Sequence, residues 1–129
     1  MSTDLTMLAW SALLCVLLAF PYTLALIAKV GPLKAMSYPQ PGHDDLAAWA
    51  QRSKRAHLNL VENLVVFAAL VLAAAAAGKA DATTALGAQI FFWARIVMAA
   101  GHIGGIPGVR TVAWFVSLAG MAMILLQII

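Results

Sequence analysis

The lengths of the charge-free runs decide what this chain can become. Leu5 to Ala28 is 24 residues without an Asp, Glu, Lys or Arg, and Thr111 to Ile129 is another 19. About 20 apolar residues carry a helix across the hydrocarbon layer, so each run spans a bilayer, and Pro21 is placed to kink the first. The two middle runs are shorter: Asn63 to Gly78 is 16 residues, and Ala82 to Ala94 is 13 before Arg95 interrupts. If both cross, the second span carries Glu62 into the membrane and the third carries Arg95 near its middle. Composition agrees, with 64% of the 129 residues hydrophobic and 10% charged, against about 45–50% apolar in soluble domains. The expectation is an all-α integral membrane protein: a single four-helix transmembrane domain over residues 1–129, with helices over about 5–29, 45–78, 82–104 and 108–129.

The polar residues set the orientation and close off other classes. Cys15 is the only cysteine, so an intramolecular disulfide and a multi-cysteine metal site are excluded. Net charge is +3, but the cations border apolar runs and read as topology signals, with no nucleic-acid patch among them. Lys29, Lys34, Arg52, Lys54 and Arg55 flank the first connection and Arg110 the third, while the second has only Lys79 beside Asp81. By the positive-inside rule the first and third loops are cytoplasmic and both termini lie outside. The alanine-rich composition points to a bacterial inner membrane, with the endoplasmic reticulum as the alternative. The opening MSTDLTMLAW lacks a basic region and the run behind it is too long for a signal-peptide core, so the first span is expected to stay in the mature chain. Asp44 is the expected N-cap of a second helix starting at LAAWAQ, which then extends below the membrane into the cytoplasm. The third loop, GHIGGIPGVR, has four glycines and allows close backbone approach. Trp10, Trp49 and Trp114 fall near the interfaces and read as an aromatic belt.

Two polar stripes lie at matching depth. On the second span Arg52, Arg55, Asn59 and Glu62 are spaced three, four and three apart, within an arc of roughly 80° at about 100° per residue. On the third, Arg95, Met98 and His102 fall within roughly 60° by the same geometry. A lone charge in a bilayer is costly and a partner offsets part of that, so Glu62 and Arg95 are expected to pair. The pair either staples the two helices or borders a polar cavity in which Arg55, Asn59 and Glu62 meet a small anionic or zwitterionic molecule. His57 lies away from the stripe and reads as an interfacial side chain, and Arg52 and Lys54 read as cytoplasmic anchors.

The string RAHLNLVENLVVF, Arg55 to Phe67, followed by Arg95 and then by Val109, Arg110 and Thr111 after the third loop, resembles the MAPEG superfamily, the membrane-associated proteins in eicosanoid and glutathione metabolism. The resemblance covers nearly the whole chain. It implies a homotrimer of four-helix subunits, with glutathione as co-substrate, and no metal, bound between neighbouring subunits near the cytoplasmic side. Residue by residue, Arg55, Asn59 and Glu62 match contacts to glutathione, with Glu62 suited to its amino group. Arg95 matches an arginine that braces the site, and His102 stands where a tyrosine of the site is found. Arg110 matches the arginine that holds the reactive thiolate, with Thr111 in the place of a serine. A cation and a hydroxyl beside the sulfur lower its pKa from about 8.5 toward neutrality. Leu58 and Met98 depart from better-known members, which have an arginine and a histidine there. The resemblance thus implies a glutathione transferase or peroxidase acting on lipophilic substrates or lipids; the alternative is a non-catalytic lipid-binding or scaffold member of the same family. A small four-helix drug exporter is a weaker third reading, because its carboxylate sits in the first span and Leu5 to Ala28 has none.

Overall fold

The computed structural model describes every residue from Met1 to Ile129, and the chain is helical with no strand. α1 (Thr3–Leu18) and α2 (Phe20–Val30) form one apolar span broken at Ala19. Pro21 causes the break, because it has no N–H for the Leu17 carbonyl; the Ala19 N–H turns back to the Val16 carbonyl at 3.1 Å. α2 stops at Gly31, whose φ of 89° suits glycine, and a single turn, α3 (Pro32–Ala35), follows. α4 (Ala48–Ala76), α5 (Ala82–Ile103) and α6 (Val109–Ile128) complete the bundle. Four helical rods are therefore long and apolar enough to cross a membrane, and the exposed exterior is apolar, with Val65, Trp93, Val112, Phe115 and Leu126 facing outward. The chain is a multi-pass integral membrane protein.

Helix entry differs from expectation at one point. The structure starts α4 at Ala48, with Ala47 as an N-cap that makes no side-chain bond. Asp44 is not the cap, because His43 to Leu46 form a turn closed by the Leu46 N–H on the His43 carbonyl at 3.1 Å. Gln51 secures this turn from inside the helix, its Nε2 donating to the carbonyls of Asp44 at 2.7 Å and Leu46 at 2.8 Å. Lys29 Nζ ties the same turn to the end of α2 through the Asp45 carbonyl. At the other end of the bundle α5 opens on a reciprocal cap. Asp81 accepts from the Thr84 N–H at 2.9 Å, and Thr84 Oγ1 accepts from the Asp81 N–H at 2.8 Å.

Inside a bilayer, helices associate through close packing and polar contacts, because lipid tails are as apolar as the core. The centre of the bundle is a stack of Phe67 from α4 on Phe91 from α5, both fully buried, with ring centroids 3.9 Å apart and planes within 13°. Leu18, Leu60, Val71, Met121 and Ile124 surround it. A polar latch joins α2 to α4, where the Tyr22 hydroxyl bonds His57 Nδ1 at 2.7 Å. His57 therefore faces inward as a structural partner. The Tyr22 ring meets His43 edge-on at 5.4 Å, and Lys54 Nζ donates to His43 Nδ1 at 3.1 Å. Burial pushes His43 below its ordinary value and the Lys54 charge adds to this, against an opposing pull from Asp44.

Candidate functional site

The start of α4, the end of α5, the 104–108 turn and the start of α6 converge at one end of the bundle. Gly101 allows this, since a Cβ there would lie 2.4 Å from Val109 Cγ1. Gly105, at φ +70°, reverses the chain against the Arg52 guanidinium. Arg52 Nε donates to the Ile103 carbonyl at 3.1 Å, satisfying an open carbonyl at the negative end of α5. Arg52 thus has a defined place in the site, beyond the anchor role its sequence position implied.

Two cavities open here. A pocket of about 400 Å³ is lined by Arg52, Arg55, His102, Arg110 and Thr111 with the glycines of the turn. It holds three arginines and no acidic residue, so its potential is positive and it fits an anion. A second cavity of about 250 Å³ is lined by Asn59, Met98, Arg110, Thr111, Trp114 and Phe115. Arg110 and Thr111 belong to both, so a molecule reaching from one cavity to the other passes the guanidinium and the hydroxyl. A third, apolar groove of about 750 Å³ runs between α5 and α6 past Ile90, Trp93, Val97, Val112 and Val116, and shares Pro107 and Gly108 with the arginine pocket. Trp114 lines the small cavity, a place its interfacial position in the sequence did not reveal.

The structure brings together Arg55, Asn59, His102, Arg110 and Thr111, and it sets Glu62 and Arg95 apart. Glu62 is exposed on the outer face of α4. Arg95 is 2% exposed and its Nη2 donates to Asn59 Oδ1 at 2.5 Å. The Glu62–Arg95 pairing expected from the stripes is therefore replaced, inside the subunit, by Asn59 with Arg95. Arg95 Nη1 has no partner, and the guanidinium lies 5.9 Å from the centroid of the Phe91 ring, a distance at which the ring face attracts it. His102 Nδ1 is likewise buried without a partner. Removing Asn59 and Arg95 singly and together is expected to give losses that fall short of additivity by about 0.5–3 kcal/mol, while Glu62 and Arg95 losses add. Unfolding in detergent measures both cycles, and an additive Asn59 and Arg95 pair would remove the contact.

Asn63 is the site residue that the sequence reading passed over. Its Nδ2 donates to the Asn59 carbonyl at 2.8 Å and to Asn59 Oδ1 at 3.3 Å. The signal was present, since positions four apart on a helix are neighbours, but Glu62 beside it carried the charge.

Against known proteins, the MAPEG family model matches residues 5–129. No curated protein matches the chain.

Proposed function

Because the chain belongs to the MAPEG family, we propose that it is a glutathione-dependent transferase or peroxidase acting on lipophilic substrates. The observation that carries this reading is the position of Arg110 and Thr111 at the junction of the arginine pocket and the small cavity. Arg52, Arg55 and His102 suit the carboxylates of the tripeptide, and the thiol then lies beside Arg110, whose cation favours the thiolate. The sulfur lone pair forms the new bond to an electrophilic carbon while the leaving group departs with its electron pair. With a peroxide, sulfur attacks one peroxide oxygen and the O–O bond breaks to release the alcohol, leaving the sulfenic acid; a second glutathione thiol then attacks that sulfur, giving the disulfide and water. The groove between α5 and α6 delivers the lipophilic partner from the membrane to Pro107 and Gly108.

The assembly belongs to the proposal as a homotrimer. Glu62 is a carboxylate exposed on a membrane-spanning helix, and facing lipid it would be costly. A neighbouring subunit that covers it also gives Glu62 a glutathione amino group to meet. With the cations at the site end, that end faces the cytoplasm of a bacterial cell and both termini lie outside.

The apolar groove favours a second reading, a lipid-binding or scaffold protein without glutathione chemistry. Calorimetry of the purified protein with glutathione separates the two. Saturable binding that weakens by roughly tenfold or more in Glu62→Gln, the size of one charged hydrogen bond, is the expected result, together with thiolate absorbance appearing below the free thiol's pKa. Absence of binding at millimolar glutathione would leave the lipid-binding reading standing.

A further inference from the structure

An asparagine amide has two chemically opposite ends: an oxygen with two lone pairs and a nitrogen with two hydrogens. In Asn59 the oxygen is filled, by Arg95 Nη2 at 2.5 Å and by Asn63 Nδ2 at 3.3 Å. Asn63 is itself anchored by its second bond, to the Asn59 carbonyl at 2.8 Å. Turning the Asn59 amide over would set its N–H groups against two donors and strip the buried Arg95 of its one hydrogen bond. Such a loss is expensive where water cannot replace the partner. The nitrogen is therefore the end left to the cavity, where Arg110, Thr111 and Trp114 are the other residues that carry a donor. Glu62, the acceptor that could balance them, does not line it.

We infer that Asn63 and Arg95 are positioning residues that lock Asn59 with its donor toward the small cavity, so that this cavity selects an anionic sulfur group over an uncharged one. The inference rests on the glutathione reading for the identity of the ligand, and extends it to what the cavity distinguishes: a thiolate or sulfonate is held, and a thioether is not. Neither role was implied by the charged stripes, in which Arg95 belonged to an ion pair and Asn63 had no part. Neither residue lines the cavity, so both act through Asn59. The bond from Arg95 fixes the amide from α5 and the bond from Asn63 fixes it from within α4, which leaves the amide no free rotation about its last torsion.

Two analogues test this on the full-length protein in detergent, glutathione sulfonate and S-methylglutathione, with affinity for each measured by calorimetry. The wild-type protein is expected to prefer the sulfonate. In Asn63→Asp the new carboxylate only accepts, so it competes for the Asn59 nitrogen, and the preference is expected to fall by roughly tenfold, the size of one hydrogen bond to a charged group. Asn63→Gln keeps a donor nitrogen and is expected to retain most of the preference. Asn63→Leu, which removes the donor without adding charge, serves if the aspartate variant fails to fold, and it is expected to lower the preference as well. A preference unchanged in these variants, even with both affinities weakened together, would overturn the positioning role, because a merely structural residue moves both ligands alike. Binding of neither analogue to the wild-type protein would overturn the glutathione reading and this inference with it.

Discussion

Replacing Arg110 by alanine is expected to lower glutathione-dependent turnover by roughly 100- to 1,000-fold, the loss that follows removal of one preorganised donor from a developing anion. The fold should survive the change. Arg110 is exposed and lies in the first turn of α6, and its side chain makes no hydrogen bond within the subunit, so its truncation leaves no buried group unpaired, and such surface changes stay within about 0.5 kcal/mol. Its contribution is electrostatic: the guanidinium borders both cavities, and the open N–H groups at the start of α6 add partial positive charge there. Without the guanidinium the bound thiol titrates higher. The residual rate of Arg110→Ala should therefore rise with pH over a range displaced upward from that of the wild type. Arg110→Lys keeps the charge without the planar fork and should fall between the two. Steady-state rates with a chromogenic electrophile across pH decide the matter, and an alanine variant as active as the wild type would take the thiolate role away from Arg110.

The spans were legible because a run of 24 or 19 uncharged residues leaves a bilayer helix as the economical solution, and the Pro21 break follows from a missing N–H. Part of the site was legible for a related reason: three- and four-residue spacing put Arg55 and Asn59 on one face of α4, while Arg110 and Thr111 entered only through the resemblance to the MAPEG family. What periodicity leaves open is how far that helix is rotated about its own axis against its neighbours. Asn59 and Glu62 are separated by roughly 60° on α4, and that difference decides which of them meets Arg95. The rotation is set by packing, with Phe67 stacked on Phe91 at 3.9 Å and Leu60 and Val71 buried on the same side. This turns Asn59 toward α5 and leaves Glu62 outside. The Asp44 cap failed for a different reason. A capping residue must stand directly before the first helical turn, and the turn secured by Gln51 and Lys29 places the helix start at Ala48 instead. The Glu62 misreading concerns which of several polar residues on one helix a tertiary contact selects. That choice depends on residues distant in the chain, as with Arg52, whose partner Ile103 lies on another helix.

The largest loss of stability is expected at the crossing of α5 and α6. A Cβ on Gly120 would lie 2.6 Å from the Gly87 carbonyl oxygen and 3.0 Å from the Phe91 nitrogen, and a Cβ on Gly87 would lie 2.5 Å from the Gly120 carbonyl oxygen. Those neighbours are backbone atoms, so no side-chain rotation relieves the contact and the helices must separate. Glycines at such contacts let membrane helices approach closely enough for packing to hold them together. Separation also reaches further than the crossing. α5 is the most buried of the four spans, with half of its apolar window inside the bundle, and its Phe91 carries the stack on Phe67. Core overpacking costs about 1–3 kcal/mol, and Gly120→Val is expected at or above the top of that range, with Gly120→Ala somewhat below it. Gly87→Ala and Gly120→Ala together should lose less than the sum of the two, because the first substitution already parts the helices for the second. Gly42→Ala is the control, since a Cβ there meets nothing within 4 Å and should change stability by less than about 0.5 kcal/mol. The same displacement moves the Gly101–Val109 contact that sets Arg110 at the cavity junction, so activity should fall in proportion as the crossing opens. Unfolding in detergent reads the first effect and turnover the second; a Gly120→Ala protein as stable as the wild type would show that the two backbones do not meet at these glycines.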